Sequence, residues 1–418
     1  MREEMREQMR GQRLTRRNLL AGGAVTAAVG ALAACSPGRA ESSSTEPKAQ
    51  AGATAANGIP SGKTVEPFHG PHQAGVATPP QTYAAFVAFD LKPGVDRKAI
   101  GRMMRLLTDD ARRLTSGQGA LADTEPHLAE FPARLTITFG FGPGLFKAAG
   151  LEKQRPESVA DLPKFEIDRL QDRWNGGDLL IQICSDDAVT LAHAQRMTVK
   201  DARTFGKVRW VQRGFRRPPH VQAAPFTQRN LMGQLDGTVN PQPGTPDFDR
   251  AVWAADGPEW FRGGTTLVLR RIRMEMETWD QVDPVAREFT IGRRLSDGAP
   301  LTGKAEHDEP DFERTNAAGL PVIGEYAHIR RAHVADPGMR ILRRAYNYDD
   351  GLSADGVADT GLIFASYQAD INRQFIPIQR RLAEADLLNE WTTPIGSAVF
   401  AIPPGCGENG WIGEGLLA

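Results

Sequence analysis

Asp236 lies in the stretch Gly233-Gln234-Leu235-Asp236-Gly237-Thr238-Val239-Asn240-Pro241, one carboxylate held between glycines just after an arginine-rich segment. An acid so placed can take and return a proton. The flanking glycines let the backbone approach a flat, bulky ligand and adopt positive φ. The same Asp-Gly pair is also a common hairpin turn, and on these residues alone both readings stand. A second stretch with chemical potential is Glu325-Tyr326-Ala327-His328-Ile329-Arg330-Arg331-Ala332-His333, followed by Ile341-Leu342-Arg343-Arg344-Ala345-Tyr346. Histidine is scarce, with 8 in the chain, and two of them fall here. A neutral imidazole is a good axial ligand for haem iron when its other nitrogen is held by an acceptor. A lone histidine is more often a hydrogen-bonded structural residue, and paired arginines are more often solvated, so no single residue assigns a function.

The elements that must position these groups repeat. Residues 83–91 read as a strand, followed by a helix with Ile100, Met103, Met104, Leu107, Ala111 and Leu114 on one face at the 3.6-residue period. Strands follow at 135–140 and 178–184, a helix begins near Asp187, and a strand covers 207–213. This is a β-α-β-β-α-β order with a long insert, the ferredoxin-like arrangement. The second half repeats it with a strand at 265–273, a helix around Trp279, a strand at 362–368, a helix over 371–382 and a strand at 397–402. The expected fold class is α+β, a duplicated ferredoxin-like pair. Residues 65–220 and 221–418 are the two domains, and the Asp236 loop lies in the connection between them.

The chain starts with an export pattern. A basic stretch ends in Arg16-Arg17, and an apolar, alanine-rich run spans Ala21 to Ala34, which together read as a twin-arginine signal. The run is too short and too weakly apolar for a stable transmembrane span. It ends at Leu32-Ala33-Ala34-Cys35, a lipobox-like site where Cys35 would become an acylated N-terminus; ordinary cleavage nearby is the alternative. Residues 1–35 are therefore read as the signal and 36–64 as a disordered tether rich in Ser, Ala, Gly and Pro. A formal net charge of -1 makes no case for nucleic acid. Beyond Cys35 the cysteines are Cys184, in the apolar run Leu179 to Cys184 and read as a buried thiol, and Cys406.

Taken together, these segments resemble the dye-decolorizing (DyP-type) haem peroxidases, in particular their exported deferrochelatase/peroxidase branch. The G-x-x-D-G motif is matched by Gly233 through Gly237 and continues similarly through Thr238-Val239-Asn240-Pro241. The likeness extends to Phe68-His69-Gly70-Pro71-His72-Gln73-Ala74-Gly75, to Gly177 through Asp187, to Ala327-His328-Ile329-Arg330 and to Leu342-Arg343-Arg344, covering the chain from about Phe68 onward.

The resemblance implies a dimeric α+β barrel that binds haem b. It implies His328 as the proximal iron ligand, Asp236 as the distal acid and Arg343 as the distal arginine, with Arg344 the second choice. Gly237, Thr238 and Val239 are expected near the porphyrin by backbone approach. His333 falls where the family contacts haem by backbone and is a second ligand candidate. Phe364 is an apolar distal wall or a plain core residue. Tyr326, Tyr346, Tyr348 and Tyr367 are electron relays or packing aromatics. The implied partners are hydrogen peroxide and a dye-like, phenolic or metal-complex reductant. The alternative function is a deferrochelatase or haem-trafficking lipoprotein, with iron-uptake partners; a homo-oligomer is compatible with either.

Overall fold

A computed structural model describes residues 62–222, 227–354 and 356–418. The twin-arginine signal, Cys35 and the tether through residue 61 lie outside the described residues. The last three residues assigned to the tether are instead packed: Ala133 N–H donates to Gly62 O and Arg134 N–H to Thr64 O, at 2.9 and 2.8 Å. The described residues all fall in one compact unit.

The strands are β1 (Tyr83–Leu91), β2 (Thr136–Phe141), β3 (Leu179–Ser185), β4 (Gly206–Phe215), β5 (Thr265–Met274), β6 (Leu342–Arg343), β7 (Tyr346–Leu352), β8 (Ala358–Gln368) and β9 (Thr392–Ile402). The helices that bear on the argument are α1 (Arg97–Thr115), α2 (Ala188–Ala202), α3 (Pro284–Ile291), α4 (His328–Ala332) and α5 (Phe375–Ala385). The β7 strand is absent from the sequence reading. Its segment Tyr-Asn-Tyr-Asp-Asp-Gly-Leu is buried for three residues and exposed for four, so it carries no sustained alternation.

The first half hydrogen-bonds in the order β4-β1-β3-β2 and the second in the order β7-β8-β5-β9, which is one ferredoxin-like order used twice. The two sheets join at single pairs, Phe141 with Ala401 and Phe215 with Asn347. β5 pairs with both β8 and β9, so eight strands close into an antiparallel barrel, and β6 adds to the far end of β8.

Side chains alternate across each strand, so closure gives every strand an inner and an outer face. Ala84, Phe86, Ala88, Leu267, Leu269, Ile363, Ala365, Phe400 and Ile402 share the interior cluster with Cys184, Tyr346, Tyr348 and Tyr367. The outer face of the first half is covered by α1 and α2. Asp96 caps α1 by accepting Ala99 N–H at 2.8 Å, and Ile100, Met103, Met104, Leu107, Ala111 and Leu114 are at most 1% exposed. Each of the Ile, Met and Leu side chains contributes roughly 1.5–3 kcal/mol on burial. The outer face of the second half is covered differently, and the difference makes the site.

Candidate active site

On the outer face of the second half, register brings cavity-facing residues side by side. Arg270 pairs with Phe364, Ile272 with Leu362 and Pro394, and Met274 with Thr392, and all of them line one cavity. Helix α5 supplies Phe375, Ile378, Gln379 and Leu382 to the same cavity, a stripe at helical spacing. Helix α4 supplies His328, Ile329 and Ala332, and the long connection supplies Gln234, Leu235, Asp236, Thr238 and Val239. Where the first half packs helices directly on its sheet, the second half leaves space between them.

The Asp236 loop is built from two turns, and the acid lies between them. Gly233, at φ 83°, closes the first turn, its N–H donating to Asn230 O at 3.0 Å, and an isolated bridge joins Arg229 to Leu235. The Arg229 guanidinium donates to Gly233 O and Leu295 O, both at 2.7 Å, fixing this turn to a neighbouring loop. Asp236 then donates its N–H to Gln228 O at 2.8 Å. Gly237, at φ 119°, starts the second turn, in which Asn240 N–H donates to Gly237 O at 3.0 Å. The hairpin turn is thus Leu231-Met232, not Asp-Gly.

Arg343, on β6, brings its Nη1 to 3.2 Å from Asp236 Oδ1, with the carboxylate 7% exposed and the guanidinium 24%. Arg344 points the other way. It is 2% exposed and donates to Thr78 O and Gln81 Oε1. Neighbouring residues of a strand face opposite sides of the sheet, so Arg343 reaches the cavity and Arg344 does not.

His328 opens α4, and its Nδ1 lies 2.6 Å from Asp386 Oδ2. Asp386 directly follows α5, is 3% exposed at its side chain, and accepts Leu388 N–H through Oδ1 at 2.9 Å. With Nδ1 committed to the carboxylate, Nε2 is the nitrogen left to act as a ligand, the usual arrangement for a metal-binding imidazole. Sequence reasoning missed Asp386. It continues the α5 cavity stripe four residues beyond Leu382, a signal hidden by ending that helix at residue 382.

The other expected residues divide. Thr238 lines the cavity and donates to Glu306 Oε1 at 2.9 Å; Val239 also lines it but is 51% exposed. Gly237 does not line it. His333 lines it, with its ring edge-on to Phe312 at 5.1 Å and its carbonyl accepting from Arg381. Phe364 is part of the cavity wall. Tyr346, Tyr348 and Tyr367 are fully buried in the barrel interior, and Tyr326 is 51% exposed.

Three further arginines, Arg270, Arg293 and Arg340, line the cavity. Arg270 is 1% exposed and ion-paired with Asp168, yet its Nε and Nη1 have no hydrogen-bond partner among the described residues. Burial pushes its guanidinium below the usual arginine value, against the Asp168 charge. Arg293 donates to Gly298 O and Glu306 O; burial lowers it too, opposed by Glu306 and reinforced by Arg343.

An imidazole with one free nitrogen, an apolar wall of Ile272, Met274, Leu362, Phe364 and Leu382, and buried unpartnered guanidinium N–H groups match the chemistry of haem: iron, a flat apolar ring and carboxylates. The residues present fit the group.

The comparisons agree. Residues 73–216 match "Dyp-type peroxidase, N-terminal" and residues 227–407 match "Dyp-type peroxidase, C-terminal". A dye-decolorizing peroxidase of Thermobifida fusca is 40% identical over 359 residues, 82% of this chain and 83% of that one. A deferrochelatase of Yersinia pestis is 34% identical over 371 residues, 84% of this chain and 85% of that one. The crystal structure of a DyP-type peroxidase from Cellulomonas bogoriensis superposes with a TM-score of 0.82 at 52% identity, covering 85% of this chain and 99% of that one. A chain whose two halves both match the family, and whose cavity suits the family's cofactor, is a member of the Dyp-type peroxidases, haem-dependent oxidoreductases.

Proposed function

We propose that this haem peroxidase acts outside the cytoplasm on dye-like, phenolic or metal-complex reductants, with His328 holding the iron, Asp236 moving a proton and Arg343 stabilising charge. The observation that carries the residue roles is the 3.2 Å Arg343–Asp236 pair in the same cavity as the Asp386-held His328. Haem held by His328 would supply redox-active iron and the electrons that cleavage of the peroxide O–O bond requires. Asp236 accepts the proton of the inner oxygen and returns it to the outer one, which leaves as water; such shuttling contributes roughly 10²–10⁴-fold. Arg343 stays cationic and offsets the negative charge developing on the departing oxygen and on ionised Asp236. Asp386 accepts the Nδ1–H of His328, which leaves Nε2 as the nitrogen that would hold the iron. Thr238, Val239 and His333, which line the cavity, act as the porphyrin-edge contacts.

Export rests on the Arg16-Arg17 signal pattern, which implies the twin-arginine translocase as a partner and cofactor loading before transport. Cys35, if acylated, makes the protein a surface lipoprotein. The likeness to deferrochelatases favours one second reading, removal of iron with the porphyrin left intact. One experiment separates the two. The haem-loaded full chain is mixed with stoichiometric peroxide and the Soret band followed in wild type and Asp236→Ala. A rapid change in wild type that slows roughly 100-fold or more in the variant supports the peroxidase roles. Release of iron with recovery of metal-free porphyrin supports the second reading. An unreactive wild type refutes the first, and retention of haem iron coordination in His328→Ala refutes the ligand assignment.

A further inference from the structure

The sheet wall of the cavity carries sulfur. Met274, at the end of β5, and Met232, in the turn that opens the Asp236 loop, both line it and are 3% and 4% exposed. They share an apolar cluster with Leu362, Ala345 and Trp279, and Trp279 N–H donates to Met232 O at 3.2 Å. His328 and Asp386 come from the helix layer, whereas Arg343 on β6 pairs with β8 and belongs to the sheet. A ring held by His328 from the helix side leaves peroxide the sheet side, where Asp236, Arg343 and the two thioethers stand.

Methionine is a common filler of irregular core space, and shape alone assigns this pair nothing more. Its company sets it apart. Among the described residues the cavity lining holds no cysteine, tyrosine or tryptophan. Cys184 faces the barrel interior, and Met103, Met104 and Met197 lie in the core of the first half. Met276, two residues on from Met274, and Met339 are half-buried and do not line the cavity. The Met232 and Met274 sulfurs are thus the most readily oxygenated groups facing the place where peroxide is cleaved, and bulk solvent barely reaches them.

We propose that Met232 and Met274 are internal oxygen acceptors, converted to sulfoxides when peroxide is cleaved and no reductant is at hand. The inference rests on peroxide being cleaved in this cavity. One oxygen of hydrogen peroxide becomes bonded to sulfur, the O–O bond breaks, and the other oxygen leaves as water with both protons. The thioether loses two electrons and the peroxide gains them, so no further reactant is needed. The product is a polar, chiral group inside an apolar cluster. Of the five buried residues of that cluster only Trp279 has a side-chain donor, and its N–H is already given to Met232 O. The turn at Met232 must therefore shift to admit the sulfoxide, and with it the loop that carries Asp236. Oxidation here acts as a fuse, slowing the next peroxide cleavage when reductant has run out.

The test uses the haem-loaded full chain with a few equivalents of isotopically labelled hydrogen peroxide and no reductant, followed by tryptic digestion and tandem mass spectrometry. Met274 and Met276 fall in one peptide, between Arg273 and Arg287, so their order of oxidation is read directly. Labelled sulfoxide is expected at Met232 and Met274 several-fold above Met276 and Met339. It should be absent from the haem-free chain under the same peroxide and suppressed by excess phenol. A second portion of peroxide should change the Soret band several-fold more slowly than the first, and phenol present during the first should abolish that slowing. A Soret change with no sulfoxide, with Met276 and Met339 oxidised first, or with oxygen drawn from water overturns the fuse alone, as does equal oxidation of the haem-free chain. Absence of any Soret change overturns the cavity reading and the fuse with it. The mapping needs no substitution, so a poorly folding variant does not shield the proposal.

Discussion

Asn240 grips both backbone groups of Arg343: its side-chain oxygen accepts the Arg343 N–H at 3.0 Å, and its amide donates to the Arg343 carbonyl at 2.7 Å. The two bonds imitate a strand partner and tie the Asp236 loop to β6. The spacing of acid and arginine therefore depends on a residue four positions beyond the acid. Asn240→Ala is expected to lower kcat with peroxide by roughly 10–100-fold, the scale of a small misplacement of reacting groups. Haem content should hold, since Asn240 does not line the cavity. Stopped-flow spectroscopy at saturating peroxide checks this. An unchanged rate would mean that β6 holds Arg343 unaided.

Asp386→Asn keeps an acceptor for His328 and removes the charge. Haem should be lost to a scavenging apoglobin roughly 10–100-fold faster, the usual cost of an altered partner to a ligating imidazole. The Soret maximum should shift as the imidazole loses its anionic partner. Transfer kinetics and the ferric spectrum report the two effects separately.

Arg344→Met separates the neighbouring arginines. The substitution leaves Thr78 O and Gln81 Oε1 without their donors inside the barrel. Stability should fall by about 1–3 kcal/mol for each buried group left unpaired. The Soret response to peroxide should persist in the folded fraction, whereas Arg343→Met should show the reverse pattern. Thermal unfolding and single-turnover peroxide reaction distinguish them.

A pH effect is expected far from the cavity. Burial, and then the Asp110 carboxyl on α1, push Asp201 on α2 up to about 7 from 3.8, against the opposing charges of Lys200 and Arg203. Between those values the folded chain holds a proton that the unfolded chain has released, so this group's contribution to stability falls as pH rises and levels off above about 7. Asp201→Asn removes that slope and should raise stability at pH 8 by roughly 1–2 kcal/mol relative to pH 4, discounted for partial exposure. Urea unfolding of both proteins at the two pH values measures it.

Much of the site was legible from residue type. An acid between glycines, a histidine beside paired arginines and a second arginine pair are local patterns, and the helical period of Ile100 to Leu114 survives in any context. What could not be read locally depended on distance along the chain. Asp386 lies 58 residues from His328 and meets it only because α4 and α5 pack over the same cavity. Strand β7 shows no alternation because half of it projects beyond the barrel.

By itself, the sequence determined which groups were available: a titratable acid, a permanent cation, an imidazole and the glycines that let a loop bend around them. Tertiary structure decided which of them face one another. A residue's direction is set by strand pairing, and pairing comes from burial across the whole barrel. Closure of eight strands turns Arg344 inward and Arg343 outward, places Asp236 at 3.2 Å from the latter, and leaves on that outer face a gap between helix and sheet that haem suits.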